Sequence, residues 1–181
     1  MAENLRLLHP IMTPQHIALR DECARQEENC LYTSTSLFIW LRILRAAKIA
    51  FIALPLVFGS LASFQLLVAG NYKTAVAVLA FLGGLIPTIY EALKLETHIN
   101  ATRDAATDFK NLQDLFRKAK LVSVHKPFEE FELEVNQLLA RLHEARKSCI
   151  TPPEIIFRLA QRKVKSGDYD FDADAASHST K

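Results

Sequence analysis

In a chain of 181 residues, enough for one ordinary domain, Lys plus Arg (22) nearly balance Asp plus Glu (20). Basic residues alternate with acidic ones and form no stripe among aromatics, which excludes the electrostatic footprint of nucleic-acid binding; five Gly and seven Pro exclude collagen-like or low-complexity sequence. The mean hydropathy of +0.07 is ordinary but conceals an uneven layout: between Ile49 and Tyr90 the only formally charged side chain is Lys73.

Residues 1–48 read as a cytoplasmic N-terminal amphipathic helix. Leu19, Cys23, Cys30, Leu37, Trp40 and Leu44 recur along one face, with Gln26 and Thr33 at the skipped positions of a three-four alternation. The first 40 residues are charged throughout and lack the apolar core of a signal peptide, so the first apolar span is expected to act as the insertion signal. Cys23, Cys30 and Cys149 cannot all pair within one chain, and their spacing fits no zinc ligand set. Cys23 and Cys30, seven apart, share a helix face and read as small buried side chains.

A transmembrane hairpin is expected over residues 49–93. Its first span, 49–69, has 21 residues without a charge. At about 1.5 Å per residue that covers roughly 31 Å, against a hydrocarbon core of about 30 Å. A turn follows at 70–73, and the second span takes 74–93, where the charge-free run ends at Tyr90 and snorkelling extends it past Glu91. Arg42, Arg45 and Lys48 precede the first span and Lys94, Arg103 and Lys110 follow the second, against Lys73 alone in the turn. This asymmetry predicts a multi-pass protein of the inner (plasma) membrane with both termini cytoplasmic, which keeps the Asn100-Ala101-Thr102 sequon from glycosylation.

Residues 94–167 read as cytoplasmic helices. Leu95, Ile99, Ala106, Phe109, Leu112, Phe116 and Ala119 form one apolar stripe, and the second span and this helix could be continuous. Pro127 reads as the first position of the next helix, with Glu129 and Glu130 in its first turn and Phe128, Phe131, Val135, Leu138, Leu142 and Ala145 as its core or coiled-coil seam. Thr151-Pro152-Pro153-Glu154 announces a last helix, capped by the Thr151 hydroxyl and stopped at Gly167. Ile155, Ile156, Leu159, Ala160 and Val164 give it an apolar side opposite Arg158, Arg162 and Lys165. The acidic stretch 168–181 reads as a disordered tail. The fold class is therefore an all-α membrane protein: a two-span transmembrane helical hairpin with a cytoplasmic amphipathic helical bundle, its seams closed within the chain or by a neighbouring subunit.

No glycine-rich phosphate loop, no His pair at i and i+4 and no nucleophile elbow occurs, and the six His are scattered. The expectation is a non-enzyme with no catalytic, cofactor or metal residues. Within the spans, Pro55 and Pro87 free the carbonyls of Phe51 and Gly83, and with Gly83 and Gly84 they mark kinks that could serve as hinges. Gly59 with Ser63, and Ala80 with Gly84 and Thr88, are small residues four apart that allow close helix approach. Ser60, Ser63, Gln65 and Thr88 are the weakly polar candidates for lining a lumen built by several chains. The spans hold no intramembrane charge for proton relay or voltage sensing, so any conduit would be hydrophobic and poorly selective.

Tyr32-Thr33-Ser34 before the first span, the tight hairpin, the long amphipathic helices and an ending of Pro152-Pro153, Ala160, Val164-Lys165 and Gly167-Asp168-Tyr169 together resemble the SLATT proteins, two-transmembrane effectors associated with SMODS and SLOG systems. The resemblance runs from about Tyr32 to Tyr169. It implies an oligomeric pore-forming or membrane-disrupting effector of a prokaryotic anti-phage system, a homo-oligomer of four or more chains in the bilayer. It also implies a trigger, either a nucleotide second messenger or a co-encoded sensor protein, that leads to cell death or growth arrest. The alternative is a membrane-anchored scaffold or signalling interaction module without a pore.

Overall fold

Thr13-Pro14 opens the first helix: the Thr13 hydroxyl accepts the His16 backbone N–H at 3.3 Å, and Pro14 takes the first helical position, where no partner awaits its missing N–H. The computed structural model describes residues 13–67 and 73–166, side chains excepted at 65–67. The described residues are helical nearly throughout and contain no strand: α1 (Pro14–Leu67), α2 (Lys73–Ala92), α3 (Leu95–Leu121), a short 3-10 turn at Ser123–His125, α4 (Phe128–Ser148) and α5 (Glu154–Lys165). Most of the expected 70–73 turn, the stop at Gly167 and the 168–181 tail lie outside the described residues. The chain divides into two compact units, residues 1–39 with 103–181, and residues 40–102.

The first unit buries the apolar stripes of three helices in one cluster. Cys23, Cys30 and Leu37 come from α1, Ala106, Phe109, Leu112, Phe116 and Ala119 from α3, and Phe131, Val135, Leu138 and Leu142 from α4. The cysteines are thus packing residues, 0% and 1% exposed. Burial pushes both thiols up to about 11, which keeps them protonated and unreactive near neutral pH. Ser34, Thr35, Ser36 and Leu37 are all buried. Four successive helical residues point in every direction around the axis, so α1 is enclosed at this level. The hydroxyls stay satisfied by their own helix: Ser34 Oγ donates to the Leu31 carbonyl at 3.1 Å and Ser36 Oγ to that of Thr33 at 2.8 Å.

Polar contacts fix the register of these helices. Lys120 of α3 lies 2.5 Å from the Glu27 carboxylate of α1, and Arg146 of α4 donates to the Gln26 side-chain oxygen at 3.0 Å. Buried His16 lies near-parallel to Phe131 and edge-on to Phe128. Its Nε2 is 3.4 Å from the Lys126 carbonyl, an obligate acceptor, so this nitrogen donates, and Nδ1 lies 2.9 Å from the Thr13 hydroxyl. Glu134 accepts from Ser123 Oγ (2.9 Å) and Lys126 Nζ (2.7 Å), clamping the α3–α4 connection, and the Lys126 bond holds its carboxyl below the usual range. The same bond raises the Lys126 ammonium, so the clamp weakens as pH falls through the depressed Glu134 value or rises through the raised Lys126 value.

Four local expectations are corrected. α2 and α3 are not continuous: the helix breaks at Leu93–Lys94, where Lys94 adopts φ +46°. Pro127 occupies the cap of α4 and Phe128 its first position, and α5 is capped by Pro153 with no side-chain bond, so Thr151 does not cap it. On α5, Ile156 and Ala160 are buried whereas Ile155 is 71% exposed.

Phe116 is fully buried at the centre of the cluster. Phe116→Ala is expected to destabilise the protein by about 3–5 kcal/mol, and Leu133→Ala, at an exposed position of α4, by less than about 0.5 kcal/mol, measured by thermal or denaturant unfolding of the first unit's helices.

Candidate functional site in the apolar helix pair

The second unit contains the two helices long and apolar enough to cross a membrane. The apolar window of α1 is 6% buried and that of α2 is 0% buried, so within the chain almost nothing covers them. Leu56, Phe64 and Phe81 are 61–69% exposed. In water such surface would cost about 25 cal/mol per Å², whereas in hydrocarbon it costs nothing.

Three contacts align the pair. The Phe51 and Tyr90 rings lie 6.1 Å apart, Gly83 faces Phe58 and the Pro55 carbonyl, and Lys48 Nζ lies 2.5 Å from Glu96. Residues rising along α1 meet residues falling along α2, so the two run antiparallel. A Cβ built on Gly83 would sit 3.9 Å from both Phe58 Cβ and the Pro55 oxygen, ordinary van der Waals contact that leaves room for a methyl and nothing larger. Pro55 and Pro87 both lie inside helices that continue through them.

The other candidates are placed differently. Gly59 and Gly84 have nothing within 4 Å of a built Cβ, and Ser63, Ala80 and Thr88 are exposed. Gly83 is therefore the small residue used between the two helices of one chain, while the Gly59/Ser63 and Ala80/Gly84/Thr88 sets stand open. Ser60 Oγ donates to the Leu56 carbonyl at 2.7 Å and Ser63 Oγ to that of Gly59 at 2.9 Å, so neither hydroxyl proton needs an outside acceptor. Extrapolated from the Phe51–Tyr90 and Phe58–Gly83 contacts, Ser60 is level with the region of Phe81, about seven residues from Thr88, or roughly 10 Å along the axis. The weakly polar candidates thus form two levels and not one ring. The Gln65 side chain lies outside the described residues.

One flank of the pair carries the Lys48–Glu96 ion pair. Their hydrogen bond holds the Glu96 carboxyl below its ordinary value and raises the Lys48 ammonium above its own. The pair is fully present between the two ordinary values, 4.5 and 10.5; it weakens as pH falls through the depressed Glu96 value or rises through the raised Lys48 value. Beside it, Lys94 sits in the left-handed region that favours glycine. Among the described residues, no group of three or more His, Cys, Asp or Glu is arranged to hold a metal ion.

The two glycines separate intrachain from interchain packing. Gly83→Leu is expected to destabilise the helix pair by about 1–3 kcal/mol through overpacking against Phe58 and Pro55, whereas Gly84→Leu leaves the stability of the single chain unchanged. Thermal unfolding in detergent under monomeric conditions, followed by circular dichroism, checks both.

No family model matches the chain, and neither a curated protein nor a solved structure matches it.

Proposed function

We propose that this chain is a non-enzymatic, oligomeric pore-forming or membrane-disrupting effector of a prokaryotic anti-phage system. In this reading it crosses the inner membrane twice as a hairpin, with both termini and the first unit on the cytoplasmic side. The observation that carries the reading is the open small-residue surface on both apolar helices. Gly59 and Gly84 meet nothing within the chain, and their closest use is tight approach by another copy. Two helices cannot enclose a lumen alone, so assembly of four or more chains is part of the proposal.

Chemistry sets the character of such a pore. The described membrane-facing stretches offer Ser60, Ser63 and Thr88 and no charge between Ile49 and Leu67 or between Thr74 and Tyr90. Charge-free walls point to gating by dewetting and weak ion selectivity. The excess of Arg and Lys outside the spans, six against Lys73, supports the assigned topology. Conflict-system biology, with a nucleotide second messenger or a co-encoded sensor as trigger, rests on the resemblance to SLATT proteins.

Liposomes carrying the purified protein are expected to leak an entrapped dye, with the protein present as an oligomer by mass measurement. Gly84→Leu is expected to reduce leakage at least tenfold at unchanged monomer stability. A chain that stays monomeric in both detergent and bilayer sinks the pore. Retained growth arrest in cells after the spans are exchanged for an unrelated hairpin shows that the hairpin is only a tether.

A further inference from the structure

A groove of about 480 Å³ opens on the first unit where α1, α3 and the α4–α5 connection meet, within the size range of small-molecule sites. Its apolar lining is Phe109, Phe157 and Pro152, and its polar lining includes Arg146, Thr33 and Ser36. Glu154 also borders it, but Arg158 already donates to that carboxylate at 2.6 Å. Arg146 is held by the neutral Gln26 side chain at 3.0 Å. Among the described residues the uncompensated charge of the groove is therefore positive, on a guanidinium steadied by one of its five N–H donors.

The hydroxyls add a second constraint. Thr33 Oγ1 donates to the Asn29 carbonyl at 2.8 Å and Ser36 Oγ to the Thr33 carbonyl at 2.8 Å. With their protons engaged, these oxygens can only accept, and Thr33, the less buried of the two, suits a ligand O–H or N–H. A ligand matching all three features has one anionic head for Arg146, a flat apolar body for the two phenylalanines and a hydrogen-bond donor for the hydroxyls. A polyphosphate would meet a single guanidinium, too little charge for its several anionic groups.

We propose that this groove binds a small aromatic carboxylate bearing a hydroxyl or amino donor. The site lies wholly in the first unit and is independent of the pore reading.

Cys149 borders the groove and is half-buried, whereas Cys23 and Cys30 are fully buried, so alkylation of Cys149 reports occupancy and the other two thiols report unfolding. Burial raises the Cys149 thiol, and mildly alkaline pH makes its labelling measurable. The full chain in lipid nanodiscs is labelled with N-ethylmaleimide and read by peptide mass spectrometry, with 6-hydroxy-2-naphthoate as probe and 6-hydroxy-2-naphthamide as neutral control. The naphthoate is expected to slow Cys149 labelling at least fivefold at saturation while the amide does not. Arg146→Gln is expected to lose that protection with Cys23 and Cys30 still unlabelled, and Thr33→Val, nearly isosteric, to need several-fold more probe. Unchanged labelling of the native chain by the naphthoate overturns the proposal. So does equal protection by the amide, or full protection in folded Arg146→Gln.

Discussion

The burial of Phe116 and Phe131 among the narrow residues of α1 is the contact on which the first unit depends. Cys23 and Cys30 are small enough to let α3 and α4 bring their phenylalanines into the cluster, and both rings are fully buried there. Larger residues at the cysteine positions would overpack a core that already lacks space. The polar contacts are secondary. Lys120–Glu27 and Arg146–Gln26 fix which faces meet; the second is exposed, where such contacts contribute little net stability, and the first is largely buried, where desolvation offsets much of the attraction. Packing supplies the energy and the polar pairs select the register.

The second unit obeys the opposite constraint. Its helices leave large apolar side chains uncovered and are long and apolar enough to cross a membrane. In hydrocarbon every backbone polar group needs an internal partner, which a continuous helix provides. Ser60 and Ser63 extend that rule to their side chains by donating to carbonyls one turn back. Hydroxyls satisfied in this way are tolerable against lipid and, equally, against a lumen. Their oxygens keep lone pairs that a water can use.

Much of this was legible in the sequence because it depends on period. The seams of α3 and α4 follow from three-four spacing, and the observed burial of Ala106, Phe109, Leu112, Phe116, Phe131, Val135, Leu138 and Leu142 matches it. The two apolar helices follow from excluded charge. What periodicity misses is three-dimensional choice. Gly83 and Gly84 are adjacent and chemically identical, and only the rotation of α2 about its axis decides that Gly83 faces Pro55 and Phe58. Ile155 and Ile156 likewise read as one apolar side, although the strip that α5 buries is narrow and takes only the second. The groove was illegible because its lining comes from three separate stretches of chain.

The break at Leu93–Lys94 shows how local backbone conflict is resolved by a non-local gain. An apolar stripe runs on from α2 into Leu95 and Ile99, and nothing in local propensity stops the helix there. A lysine in the left-handed region carries a cost of order 1–2 kcal/mol relative to the right-handed helix. That cost persists because the surroundings repay it. The Lys94 N–H still bonds the Glu91 carbonyl at 3.1 Å and its own carbonyl accepts from His98 at 3.2 Å, so neither backbone group of Lys94 is orphaned. Restarting the helix at Leu95 also buries Leu95 and Ile99 in the same unit that buries Leu41 and Leu44. Fully burying one leucine-sized side chain contributes about 1.5–3 kcal/mol, so two suffice to hold a strained turn that sequence alone would have drawn as helix.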